Sequence, residues 1–259
     1  MTDGEVATTL GIQHFQHLNA SQQAQLFWKP PEVISLHDEP RLIATALGAT
    51  LYIPADRPDL AATVTRRASE GICSMVLDLE DAVDDMHADA AMHNVVTALD
   101  ELAADPLATM VFVRVRSYDC IPQIADRLTV GAHALAGFVI PKFEADTGAR
   151  YLRQTEDAAS ALSRHLYCMP VLESERILFQ ETRDAELTAL VDLLDEHRQT
   201  VLAVRVGATD MCGSLGIRRD RDHTIYDVKV VADVLAAIIN RFGRPDGTGF
   251  VVTAPVWEY

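Results

Sequence analysis

The run Met75-Val76-Leu77-Asp78-Leu79-Glu80-Asp81 decides the fold of this chain. It opens on continuous apolar residues, without the alternation of a half-exposed strand, and it closes on carboxylates. Continuous apolarity marks a strand buried on both faces. Six more runs of the same kind flank it: Leu51–Pro54, Met110–Val115, Gly137–Pro141, Leu166–Leu172, Val201–Gly207 and Gly249–Thr253. Between them lie longer amphipathic stretches, among them Ala88–Leu102, Tyr151–Leu162, Leu187–Glu196 and Val228–Ile239. In the last, Val228, Val231, Leu235 and Ile238 recur at helical spacing. The strand starts, from 51 to 249, step by a mean of 33 residues. That is the length of a β/α unit, and its repetition means a parallel sheet with crossover helices. Two architectures share the pattern, an open doubly wound sheet and a closed (β/α)8 barrel. A dinucleotide-binding sheet carries a glycine fingerprint after its first strand. Here Ala55-Asp56-Arg57-Pro58-Asp59 follows instead, and no Walker sequence occurs. The barrel is favoured.

Composition narrows the classes further. Of the 259 residues 49% are hydrophobic and 23% charged, the balance of a folded chain. The formal charge of −16 would repel a phosphate backbone or an anionic membrane surface. No nucleic-acid or membrane partner is therefore expected. No apolar run reaches the roughly 20 residues of a membrane span, and the first residues lack the pattern of a signal peptide. Cys73, Cys120, Cys168 and Cys212 form no CxxC pair. They read as inert thiols in a reducing, cytoplasmic setting. Residues 1–48 lack periodicity and read as an N-terminal arm, with residues 49–259 forming the barrel domain. His14 and His17 in the arm are expected to be ordinary surface histidines rather than metal ligands.

Charges collect where the apolar runs end. In order these are Asp56 and Arg57, Glu80 and Asp81, Arg114 and Arg116, Lys142 and Glu144, Glu173, Glu175 and Arg176, and finally Asp210. In a barrel the C-terminal strand ends share one face, which carries the active site. Asp78 and Arg205 lie inside apolar runs, where a charge is costly unless paired. Carboxylates from different strands suit a hard divalent cation such as Mg²⁺, which leaves positions open for water and substrate. A nearby arginine can clamp a carboxylate, and arginine with metal can stabilise an enolate. That set points to carbon–carbon bond cleavage or formation next to a carbonyl.

At these residues the sequence resembles the HpcH/HpaI aldolase and citrate lyase superfamily, in its branch of citrate lyase β-subunits and malyl-CoA-type lyases. Leu51-Tyr52-Ile53-Pro54-Ala55-Asp56-Arg57-Pro58 is similar to the opening LFVPGDRP of that branch. Leu77–Val83 reproduces its LDLEDAV. Val113–Arg116, Val139–Lys142 and Pro170–Ser174 resemble its VRIN, MLPK and LVET segments. Gly207–Asp210 with Leu215-Gly216 resembles GAEDLxxxLG. The resemblance implies a (β/α)8 barrel in which Glu173 and Asp210 ligate Mg²⁺. It implies that Arg114 binds the keto acid and steadies the enolate, and that Glu80 and Asp81 orient metal-bound water. Arg57 and Lys142 would line the same mouth as substrate-binding cations. A CoA thioester as substrate and a homo-oligomer, trimer or hexamer, are implied as well.

Departures from the pattern accompany these matches. Asp84-Asp85-Met86-His87 stands where the branch often has a lysine, Arg116 replaces an asparagine, and no IHPSQ-like strand is found. Three readings of function follow: a Mg²⁺-dependent carbon–carbon lyase acting on a 2-oxo acid or an acyl-CoA-type substrate, a CoA-independent aldolase for 4-hydroxy-2-oxo acids, or a non-catalytic barrel subunit. The seventh run ends close to Tyr259. The expected barrel thus lacks its last βα unit, unless the arm or another chain closes it.

Overall fold

In the computed structural model, which describes residues 11–255, each of the seven apolar runs contains a strand. The strands are β1 (Leu51–Pro54), β2 (Ser74–Asp78), β3 (Met110–Arg114), β4 (Leu135–Ile140), β5 (Tyr167–Leu172), β6 (Val204–Val206) and β7 (Val252–Thr253). The reading of the chain's last residues, 256–259, and of its first ten lies outside the described residues. All strand pairs are parallel, and the sheet runs β1-β2-β3-β4-β5-β6-β7 in sequence order. Among the described residues β1 and β7 are its two edges, so this α/β sheet is a curled (β/α) barrel lacking one unit.

Ten α-helices lie among the described residues: α1 (Ala20–Leu26) and α2 (Pro40–Thr45) in the arm, then α3 (Leu60–Ser69), α4 (Ala88–Ala104), α5 (Cys120–Ala125), α6 (Ala145–Ala161), α7 (Glu175–Leu178), α8 (Gln180–Glu196), α9 (Ala208–Ser214) and α10 (Lys229–Phe242). Helices α3, α4, α5, α6, α8 and α10 pack their buried residues on the outward side of the strands. The helix expected to start at Leu187 starts at Gln180, one extended residue (Phe179) after the short α7. Its polar first turns hid it from an apolar pattern. On α10, Val231, Val234, Leu235, Ile238 and Phe242 form the buried stripe that its sequence spacing predicts.

Two apolar layers follow from strand parity. Met75, Leu77, Val111, Val113, Phe138, Ile140 and Cys168 face outward under the helices. Val76, Met110, Phe112, Val139, Met169 and Val171 face the barrel axis. Ile12, Ile43, Ala44, Ala46 and Leu47 of the arm join this interior cluster. Each large side chain buried there stabilises the fold by about 1.5–3 kcal/mol. Cys168 opposes Val201 whereas Val171 opposes Arg205, so β6 carries one extra residue, a bulge. Both Leu202 and Ala203 accordingly contribute to the interior, and the strand proper begins at Val204 rather than at Val201.

Candidate active site

The parity that turns Val76 and Phe112 inward also turns Asp78 and Arg114 inward, two residues further along their strands. The two are register partners, and their side chains meet. Arg114 donates from Nε to Asp78 Oδ1 at 2.7 Å and from Nη2 to Asp78 Oδ2 at 2.6 Å. This bidentate pair is nearly buried, with 4% of the Asp78 side chain and 13% of the Arg114 side chain exposed. Nη1 of Arg114 lies 3.0 Å from Glu80 and 3.3 Å from Asp81. Burial works against the arginine's charge, but the hydrogen bonds and charge of Asp78, joined by Glu80, hold its pKa above the ordinary value.

Lys142, just past β4, has a left-handed backbone with φ of 47°. A non-glycine residue there is strained, and such strain gathers at functional sites. The turn points its backbone N–H at Glu173 Oε1, 2.9 Å away. Its side chain bonds Glu80 and stands 3.6 Å from Asp81 and 3.8 Å from Asp210. Glu173 ends the inward series Tyr167, Met169, Val171 and is only 6% exposed. Burial, followed by the charges of Asp210 and Glu80, pushes its pKa up to about 8 against the pull of the Lys142 N–H. Gly207 after β6 leaves the space that the carboxylate fills, because a Cβ there would sit 1.7 Å from Glu173 Oε2. Burial also raises Glu80, against Lys142 and Arg114.

Glu80, Asp81, Arg114, Lys142, Glu173 and Asp210 thus converge at the C-terminal strand ends. Arg57 does not join them. Its guanidinium is exposed and pairs with Asp59 at 3.2 Å. Sequence reasoning flagged Asp78 as a buried charge without assigning it a role. Its parity with Val76 and its register with Arg114 are the signals that place it as that arginine's anchor. Tyr52 was also missed; its ring packs under the guanidiniums of Arg114 and Arg205, at 5.2 and 5.4 Å from their carbons. Arg116 ties down the acidic turn after β2, donating to the carbonyls of Leu79 at 3.1 Å and Val83 at 2.8 Å and pairing with Asp85.

Among the described residues no three Asp, Glu, His or Cys side chains form a ready ligand set. Mg²⁺ needs fewer, since it commonly takes one or two carboxylates and fills its other positions with water and substrate. Glu173 and Asp210 offer the hard oxygen donors it prefers. Burial first, and then the charges of Asp210 and Glu80, disfavour the ionised form of Glu173, and a divalent cation at the site would favour it. The residues present fit the ion.

A family described as "C-C_Bond_Lyase of the TIM-Barrel fold" matches residues 41–259. A citrate lyase subunit beta-like protein of Deinococcus radiodurans is 39% identical over 111 residues, 42% of this chain and 37% of that protein. The chain therefore spans well under half of that relative's length in the match. Among solved structures, an HpcH/HpaI aldolase/citrate lyase family protein from Burkholderia cenocepacia superposes with a TM-score of 0.54 at 17% identity, over 82% of this chain and 83% of that one. A magnesium/glyoxylate complex of Haloferax volcanii malate synthase gives 0.51 at 17% identity, over 66% and 54%. At such identities the likeness shows the fold.

Proposed function

Since the chain belongs to the carbon–carbon bond lyase family of the TIM-barrel fold, we propose that it cleaves, or in reverse forms, a carbon–carbon bond next to the carbonyl of a 2-oxo acid. The observation that carries this reading is the meeting of Glu173 and Asp210 with Arg114 and Lys142 at the barrel mouth. Glu173 and Asp210 would hold Mg²⁺, which when bound chelates the acid and draws charge from its keto oxygen. Arg114, immobilised by Asp78 and meeting Glu80 and Asp81 through Nη1, would steady the negative charge that develops as the bond breaks. A donor fixed before reaction costs no reorganisation during it. Lys142 joins Glu80, Asp81 and Asp210 and offsets part of their charge. The magnesium and glyoxylate of the Haloferax malate synthase complex agree with this chemistry.

Calorimetric titration of Mg²⁺ and oxaloacetate into wild type and Glu173→Ala tests the assignment. Metal-dependent binding of the acid is expected in the wild type and its loss in the variant; equal binding in both removes Glu173 as a ligand. A CoA thioester as substrate belongs to the same proposal, and a pyruvate-release assay with and without acyl-CoA separates it from CoA-independent aldol cleavage. The four buried cysteines, none in a disulfide, suit a reducing cytoplasm. Exposed Leu26 and Trp28 on the arm support a homo-oligomer, which sedimentation would size.

A further inference from the structure

The barrel interior holds a second arginine that the reaction above does not use. Arg205 on β6 faces inward and is 9% exposed. Arg114 engages three carboxylates, whereas Arg205 forms no ion pair among the described residues. Its one side-chain hydrogen bond among the described residues runs from Nη1 to Thr50 Oγ1 at 3.4 Å, the long end of the range, and its guanidinium packs on Tyr52. A buried guanidinium without a counter-charge is costly. Its neighbour is also unsatisfied. Thr253 on β7 is the register partner of Arg205, so their side chains share a face of the sheet. The Thr253 hydroxyl is buried with no hydrogen-bond partner among the described residues. Two adjacent strands thus bring unused donors to one place, and buried polar groups left unmade usually mark an absent partner.

We infer that Arg205, with Thr50 and Thr253, forms a second carboxylate subsite, which holds the far carboxylate of a 2-oxo diacid whose keto-acid end lies at Glu173 and Asp210. The planar fork of one guanidinium matches one carboxylate in both shape and charge. Tyr52 is the common wall, since the guanidiniums of Arg114 and Arg205 both pack on its ring. Both guanidinium carbons stand within 5.4 Å of the centroid of that ring, which makes the subsite a neighbour of Arg114. A 2-oxo monoacid would leave Arg205 unpaired. The inference rests on the keto-acid reading of the mouth and narrows it to acids with a second carboxylate.

Binding of oxaloacetate and of pyruvate, which differ by one carboxylate, is measured with Mg²⁺ in wild type, Arg205→Gln and Arg205→Lys. Wild type is expected to favour oxaloacetate by roughly tenfold or more. Arg205→Gln should bring the two affinities together by weakening oxaloacetate alone. Arg205→Lys, which keeps the charge without the fork and serves also if the glutamine variant does not fold, should fall between. An unchanged ratio in both variants overturns the subsite, as does a wild type without preference. A second arm omits metal: with chelator present, succinate should raise the thermal midpoint of wild type above that in sodium chloride of equal ionic strength, and should not do so for Arg205→Gln. If neither keto acid binds wild type but succinate stabilises it through Arg205, the keto-acid reading falls and the subsite stands. If succinate does no more than chloride, the subsite falls.

Discussion

At position 173 the chain buries a carboxyl group beside two others, and its pKa near 8 records the cost. Its ordinary value is 4.5, so the folded state holds this proton more tightly than the unfolded chain does. The stability this contributes to the metal-free protein is fully present below about pH 4.5 and is lost as pH rises through about 8. In chelator, thermal midpoints of wild type should therefore fall between pH 6 and pH 9 relative to Glu173→Gln, which has no proton to lose; parallel profiles would contradict the shift. Metal binding has the opposite sign, because a ligating carboxylate must be ionised. Mg²⁺ affinity should climb with pH up to about 8 and level off above it, and proton release should fall from close to one at about pH 6 toward zero at about pH 9, read by calorimetry in buffers of different ionisation enthalpy. Gly207 belongs to the same argument. Gly207→Ala forces a methyl into the space of Glu173 Oε2 and should lower Mg²⁺ affinity by at least about tenfold. Asp78→Asn removes the charge that anchors Arg114 while Glu80 and Asp81 still face it. It should cost about 2 kcal/mol in urea unfolding.

The acidic turn after β2 shows how an element is aimed from outside itself. Glu80 and Asp81 sit in a stretch without regular structure, between β2 and α4. Its backbone is held at both ends by one guanidinium, that of Arg116 on the loop after β3. Arg116→Ala should speed amide hydrogen exchange across residues 79–85 and weaken Mg²⁺ binding by severalfold, with Arg116→Lys recovering only part, because Nη1 alone meets both carbonyls but a second nitrogen of the fork is needed to hold Asp85 at the same time. Unchanged exchange in the alanine variant would show that the turn holds itself. Much at this scale was legible in the sequence. Continuous apolar runs announced the strands, and the charges that end them announced the mouth. The bulge before β6 was not legible, because Val201-Leu202-Ala203 is as apolar as the strand it precedes. Nor was the isolation of Arg57. It stands in a motif as specific as its neighbours, yet its guanidinium pairs with Asp59, two residues on, rather than with the carboxylates that Arg114 and Lys142 meet. A linear pattern reports which residue types lie near a strand end, whereas pairing depends on turns that the pattern does not encode.

On the scale of the whole molecule, the arm and the mouth share one interior. Ile12, Ile43 and Leu47 pack into the cluster formed by Val76, Phe112, Met169 and Val171, the same inward series that leads on to Asp78, Arg114 and Glu173. The sequence showed no periodicity there because the arm fills the barrel by a few separated residues rather than by a regular stripe. Leu47 is 1% exposed and Ile43 fully buried, so truncating either to alanine leaves a cavity. Each change should cost about 2–5 kcal/mol of unfolding free energy. The ligands depend on strand ends rather than on the arm, and Lys142 and Gly207 position Glu173 from β4 and β6. Leu47→Ala should therefore unfold at lower urea while the folded protein keeps wild-type affinity for Mg²⁺. If metal affinity instead falls in step with stability, the arm and the mouth form one cooperative unit, and the interior residues beneath Arg114 position the site as well as support it.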